Sequence, residues 1–231
     1  MFRTELVHLK LVKGLDRWSP GQLLERFSTR FNEAASFGFI RTESYDEVIS
    51  STMVYRSIVV RSQYDPVRNI IVSQPQVVFD YVPFRIDHNA ALLEADLGGR
   101  RLVKLISVLG KLFDFGIIIE DMYINLRAFV EELDQGNRPY SITGIALTNF
   151  RPQAGLSGRF IASIYEQQVA RDLVREYDRD VTSIDIELTV RESPIAWRLS
   201  SSGSIAVRAD EEDLEEGLNI LRKTVLRCRD A

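Results

Sequence analysis

A chain of 231 residues with 45% apolar and 27% charged residues has enough apolar surface to build a core without disulfides or metals. Its net charge of −4 argues against a nonspecific polyanion binder, and its single cysteine excludes an internal disulfide. No apolar run approaches the roughly 18–20 residues that cross a bilayer, and the first thirteen residues lack the apolar block of a signal peptide. These totals lead us to expect a soluble, cytoplasmic chain with no membrane partner.

Thr4 to Val12 alternates, with Val7, Leu9 and Leu11 on one side and His8 and Lys10 on the other, which predicts a strand. Ser19-Pro20 is a helix start, Ser as N-cap and Pro at the first helical position. Leu24, Phe27, Phe31 and Ala34 predict the apolar face of that helix, with Gly38 closing it. From Phe39 to Val60 the chain favours strands, and Tyr64-Asp65-Pro66 marks a turn. Ile70 to Val72 predicts a short strand interrupted by Gln74-Pro75. Val77, Phe79 and Tyr81 then alternate with Val78, Asp80 and Val82. After a turn at Asp87-His88-Asn89, Ala91, Leu93, Ala95 and Leu97 predict a hairpin partner ended by Gly98-Gly99. Arg100 to Phe113 is apolar over more than half its surface, which predicts a helix buried between layers.

Met122, Leu126, Phe129, Val130 and Leu133 predict another helix, and Ile142 to Leu147 a strand. The loop Asp134-Gln135-Gly136-Asn137-Arg138-Pro139 is the best boundary. We therefore expect residues 1–231 to form one compact unit of two lobes, divided near 134–140. Ile161, Tyr165, Val169, Leu173 and Tyr177 recur every four residues and predict a long helix. Ile184, Ile186, Leu188 and Val190 alternate with polar residues, Trp197 and Leu199 resume the alternation, Ser200 to Gly203 turns, and Ile205 and Val207 alternate again. Asp210 is the expected N-cap of a last helix, whose stripe is Leu214, Leu218, Leu221, Val225 and Cys228. Acids crowd its start, and Arg222, Lys223, Arg227 and Arg229 its end.

Residues 77–113 and 184–228 share the order strand–turn–strand–helix without sharing residues. The fold class expected is α+β: an antiparallel or mixed sheet from two strand–turn–strand–helix units, with helices packed mainly on one face.

The run from Leu199 to Val207, with its Ser-Ser-Gly turn and the acid-opened helix after it, resembles the end of one half of a TATA-binding-protein core domain. The resemblance covers residues 197–228. It implies two such halves forming a curved antiparallel sheet with helices on its convex side. The phenylalanines that this family inserts between bases have Trp197 and Phe84 as their nearest counterparts by element.

No phosphate-binding or dinucleotide-binding glycine motif is present, so no cofactor is expected. Two histidines and one cysteine without paired spacing point away from a metal site. His8 falls mid-strand and His88 in a turn, where it is expected to be solvated. The loop Ala154 to Arg159, before the expected long helix, offers amides and Ser157 to an anion, flanked by Arg151 and Arg159. Glu94 and Asp96, two apart on one predicted strand, are the best acid pair for metal-assisted phosphoryl chemistry, near Arg85 and Lys104. Positive charge is carried by 24 Arg against 5 Lys, and Arg suits both interfaces and oxyanions. Trp197, Arg198 and Arg208 complete the candidate binding residues. Without a catalytic constellation, the chain is expected to be a non-enzymatic binding or assembly protein. Its partner would be another protein or a second copy. The alternative is a nucleic-acid binder or a metal-dependent enzyme on a phosphate ester.

Overall fold

The computed structural model describes residues 2–34, 36–96, 98–136, 138–151 and 155–228. The expectations touching Leu97, Asn137, Ala154 and Arg229 fall outside them. By internal contacts the chain divides into Val12–Ile119, the ribbon unit, and Met1–Leu11 with Glu120–Ala231, the closing unit. Strand β1 (Phe2–Lys13) begins in the closing unit and ends in the ribbon unit.

In the ribbon unit, helix α1 (Pro20–Phe27) opens on a capping box: the Ser19 Oγ accepts from the Gln22 amide, and the Gln22 Oε1 accepts from the Ser19 amide. Such a cap stabilises by about 1 kcal/mol. The expected stripe to Ala34 is not formed. The helix stops at Phe27 because the Ser28 hydroxyl donates to the Leu24 carbonyl and the Thr29 hydroxyl to the Arg26 carbonyl, at 2.9 Å each. Those hydroxyls satisfy carbonyls that another turn would have used. The buried positions are Leu23 and Phe27. Phe27 packs edge-on against Phe39, Phe84 and Phe113 at 5.2, 5.2 and 5.8 Å.

Strand β2 (Phe37–Tyr45) pairs with β3 (Val48–Asp65), which pairs along its whole length with β4 (Ile70–Asp87). Gln74-Pro75 does not interrupt β4. The Pro83 carbonyl accepts from the Asp96 amide, so the backbone of Pro83, and of Pro75 eight residues earlier, faces away from β3. The missing N–H of Pro75 thus lies on the outer edge, where the ladder with β3 does not need it. Strand β5 (Leu92–Ala95) pairs with the end of β4, giving the order β2-β3-β4-β5. Its alternation does not produce a wet face: all four residues, Glu94 included, are buried. Helix α2 (Gly99–Leu112) buries Leu102, Leu105, Val108 and Leu109 on one side only. Val103 is 68% exposed, so the helix is not sandwiched between layers.

The closing unit contains β6 (Ile118–Asp121) from Glu120 on, where Asp121 forms an ion pair with Lys10 of β1. Helix α3 (Leu126–Gln135) is capped by the Asn125 side chain on the Ala128 amide. The loop at 134–140 connects α3 to β7 (Tyr140–Phe150) inside this unit, whereas the contact divisions fall after Leu11 and after Ile119.

The long helix expected through Ile161 is replaced by strand β8 (Gly158–Ser163) and a shorter helix α4 (Gln167–Glu176). Strand β7 shifts register between Ile142 and Gly144. On the other edge of β7, where pairing with β8 stops at Gly144, the Gln167 amide stands in for a partner strand, accepting from the Ile142 N–H at 2.7 Å and donating to the Ile142 carbonyl at 3.1 Å. That clamp sets the helix start at Gln167, well past the loop where the sequence pattern places it. Ala170 and Val174 form the buried face, and Tyr165 is fully exposed.

Strands β9 (Val181–Val190), β10 (Ser193–Ser200) and β11 (Ser204–Asp210) and helix α5 (Leu214–Arg227) come next, as the alternation predicts. The order in this unit is β1-β11-β10-β9-β7-β8, every pair antiparallel. Asp213 rather than Asp210 precedes α5, and it caps without a side-chain bond. The stripe Leu214, Leu218, Leu221, Val225 and Cys228 is buried throughout. Helix α5 comes close to the strands where it has no side chain: a Cβ at Gly217 would stand 3.0 Å from the Ile195 Cδ1. The described residues therefore form five helices and a large antiparallel arrangement of strands, a mixed α+β fold. No helix among them is long and apolar enough to cross a membrane.

Candidate functional site

The outward face of the ribbon was not singled out by the sequence. In an antiparallel ladder, residues directly opposite share a face. The pairs Ile49–Ile86, Met53–Val82 and Tyr55–Asp80 lie on the core side. The opposite side carries Arg56–Phe79, Ile58–Val77, Val60–Pro75, Ser62–Ser73 and Tyr64–Ile71. Near the base this side is covered by the segment after α1. A Cβ on Gly38 would collide with the Phe31 backbone at 2.2 Å, and Phe31 meets Phe79 edge-on at 5.4 Å. Beyond Phe79 no described residue covers it. Ile58, Val60, Tyr64 and Ile71 are 61–72% exposed, and Val77, Phe79 and Tyr81 about half exposed. Together these seven side chains present on the order of 800 Å², which exceeds the largest apolar patch of an ordinary monomer.

The ribbon is also open at both edges. Strand β2 pairs with β3 only as far as Tyr55, and β5 with β4 only from Phe84. Pro75 removes one donor from the outer edge of β4, which weakens strand addition there. A single charge, Arg56, lies among the ten paired positions of the outward face. The sequence held a signal in the alternating apolar residues of both strands. Alternation reports that one face differs from the other; it does not report whether anything covers the apolar one.

The residues singled out from the sequence are scattered over both units. Trp197 is buried in the core of the closing unit, its ring 6.3 Å from that of Phe129, and Phe84 is buried in the ribbon unit. Neither projects as a wedge. Arg208 lies over the Phe2 ring at 5.4 Å. Arg151 and Ser157 are exposed beside a loop that leads into β8 instead of a helix, so no helix N-terminus faces an anion there. Glu94 is buried opposite Arg85 in the β4–β5 ladder, and Asp96 lies just past the strand end. Among the described residues no group of three His, Cys, Asp or Glu side chains could hold a metal ion. His88 is not simply solvated: its Nε2 lies 2.8 Å from the Trp18 carbonyl.

Two of the predicted residues do converge. Arg198 of β10 donates through Nε and Nη2 to the two Asp185 oxygens at 2.6 and 2.8 Å. Arg159, on β8, lines the same pair of adjoining cavities on the outer sheet face as Arg198 and Ser183. The ladder explains the meeting: Arg198 is opposite Asp185, Asp185 opposite Gly144, and Gly144 opposite Ser163. Gly144 and Ala146 are too small to block an arginine reaching inward from the edge strand.

A polar clasp that sequence reasoning missed joins α3, β7 and α4. The Tyr140 hydroxyl donates to Asp134 at 2.6 Å, and Arg171 donates to the same oxygen through Nε and Nη2 at 3.2 and 3.0 Å. Burial first, then the hydrogen bond to Asp134, pushes the Tyr140 phenol up to about 12. Burial likewise pushes the Cys228 thiol up to about 11, which leaves it an inert core group and no nucleophile at neutral pH.

No protein-family model matches the chain, and no curated protein sequence matches it.

Proposed function

We propose that this is a non-enzymatic assembly protein that pairs with a second copy of itself through the outward face of the β3–β4 ribbon. The observation that carries this reading is the row of exposed Ile58, Val60, Tyr64, Ile71, Val77 and Phe79 on one side of that ribbon. With the half-exposed Tyr81 beside them, their exposed area, on the order of 800 Å², equals what one partner contributes to a standard-size interface.

A second copy fits better than an unrelated charged partner for two reasons. The face carries almost no charge, so it offers nothing for a polyanion or a charged peptide to pair with. A two-fold contact also sets this face against itself, so the apolar Val60–Pro75 and Tyr64–Ile71 rows of one copy meet apolar rows of the other, and the Ser62–Ser73 hydroxyls, 3.0 Å apart, meet their own counterparts. The blunted edge at Pro75 directs pairing to the face. In the same reading, the segments 77–113 and 184–228 are equivalent hairpin-plus-helix blocks with helices mainly on one sheet face, and the close fit of Gly217 against Ile195 supports this for the second block.

The test is the mass in solution at micromolar concentration, by sedimentation or light scattering. Wild type is expected as a dimer and Ile58→Lys with Ile71→Lys as a folded monomer. A monomeric wild type, a dimeric double variant, or partition of the wild type onto neutral lipid vesicles would overturn the proposal.

A further inference from the structure

We propose that the groove between Arg159 and Arg198 on the outer sheet face of the closing unit binds the phosphate group of a small phosphate ester. This rests on the closing unit alone and is independent of the ribbon.

Two adjoining cavities of about 410 and 290 Å³ share Arg159, Ser183 and Arg198. Their size suits a small ligand. The floor is Gly144, Ala146, Ser183, Ser200, Ser204 and Ala206, all short enough to leave a trough between the arginines. Part of the donor capacity around the trough is unspent. Asp185 takes the Nε and one Nη2 hydrogen of Arg198, which fixes the guanidinium plane and leaves Nη1 available. Arg159 forms no ion pair with a described residue, and the side chains of Ser183 and Ser204 make no hydrogen bond to one. Two guanidinium groups thus face one trough against a single carboxylate. That surplus of charge favours an anion over water.

The chemistry points to a phosphate more than to a carboxylate. A carboxylate is planar and is served by one fork, whereas a phosphate monoester presents three terminal oxygens. Donors from β8, β9, β10 and β11 come from several directions and match the latter. Exposed Leu6 and Ile161 at the rim give the carbon part of an ester an apolar wall. A polynucleotide track fits poorly. No aromatic ring lines the floor for base stacking, and Glu187 stands in the next row beside Asp185.

The experiment titrates the full chain with inorganic phosphate at constant ionic strength, read by calorimetry and by amide shifts. Saturable binding is expected, with shifts centred on Ser183 and Ser204. Arg159→Gln and Arg198→Gln should each weaken it about tenfold or more. Arg191→Gln, an exposed arginine of the same unit outside the groove, should leave it unchanged. Arg159 is exposed and forms no ion pair with a described residue, so Arg159→Gln should melt like wild type in chloride; Arg198→Gln gives up the pair with Asp185 and should melt a few degrees lower but remain folded. Non-saturable binding, or equal losses in all three variants, would show only diffuse ion attraction and overturn the site. Tighter binding of a single-stranded oligonucleotide, weakening steeply with salt, would overturn the small-ligand assignment.

Discussion

The β10–β11 hairpin and the β3–β4 ribbon are built from the same kind of sequence and end in opposite circumstances. Both place apolar residues at every second position along much of one face, and both are closed by a short turn. In the hairpin, Ile195, Trp197, Leu199, Ile205, Val207 and Ala209 are each no more than 1% exposed. In the ribbon, Ile58 and Val60 are about two-thirds exposed. The difference lies in the next element of the chain. Helix α5 comes directly after β11 and its stripe lies against that hairpin. Strand β4 instead leads into the short β5 before α2, and the last eight or so pairs of the ribbon run past the reach of any helix. A period of two therefore creates an apolar face, and the neighbouring element decides whether that face becomes core or surface.

The largest effect that would break this comparison is in the hairpin. Trp197→Ala removes a fully buried ring edge-on to Phe129 and should cost about 3–5 kcal/mol in chemical denaturation. A loss below 1 kcal/mol would show that the hairpin face is no better covered than the ribbon's. Next comes the fit of the helix itself. At Gly217 a Cβ already stands 3.0 and 3.3 Å from Ile195 carbons, and Gly217→Val adds two branches there. Overpacking of that kind should cost about 1–3 kcal/mol, offset only by the few tenths that valine gains over glycine as a helix former. An unchanged melting temperature would mean that α5 can lift from the strands.

The closing strands were legible because pattern, turn and helix agreed locally: the five stripe residues of α5 are all buried, and Ser200 to Gly203 turns as expected. The failures arose where a distant group decides. Helix α4 starts at Gln167, whose side-chain amide stands in for a partner strand at Ile142 of β7, twenty-five residues away, and no local pattern encodes that. Helix α1 ends where two hydroxyls take its carbonyls, although apolar residues continue at helical spacing. Strand β4 tolerates Pro75 because of which edge its nitrogen faces, a fact of pairing and not of composition. The convergence of Arg159 and Arg198 is equally invisible in one dimension, since it depends on the register of four strands. Coverage, and with it the ribbon site, is the property that sequence periodicity lacks altogether.

The closing unit should also lose stability in alkali. The Cys228 thiol is raised from 9.0 to about 11, chiefly by burial and then by the nearby Glu132 charge. The Tyr140 phenol is raised from 10.0 to about 12. In an unfolded chain both groups release their protons sooner, so between pH 9 and 11 the unfolded state binds fewer protons and stability falls as pH rises. Cys228→Ala should flatten the first part of that decline and Tyr140→Phe the later part. Melting curves from pH 8 upward check this. Parallel curves for wild type and both variants would mean that neither group is shielded as the packing of α3, α4 and α5 requires.

The smallest effect on folding is expected in the ribbon, and there it is the smallness that is informative. In a lone copy, Ile58→Thr or Val60→Thr exchanges one exposed β-branched side chain for another, keeps strand propensity, and should change stability by no more than about 0.5 kcal/mol. The measurement is denaturation at a concentration low enough for the monomer. A loss of 2 kcal/mol there would mean that the face is covered within one chain, which would remove its availability to a partner. At higher concentration the outcome diverges. Dimerisation stabilises only the folded state, so the wild-type melting temperature should climb with protein concentration, and that of the threonine variants should begin to climb only at higher concentration. The ribbon is then distinguished from the hairpin by where its apolar face gains its stability: the hairpin's from its own chain, at any dilution, and the ribbon's from a second chain, as concentration allows.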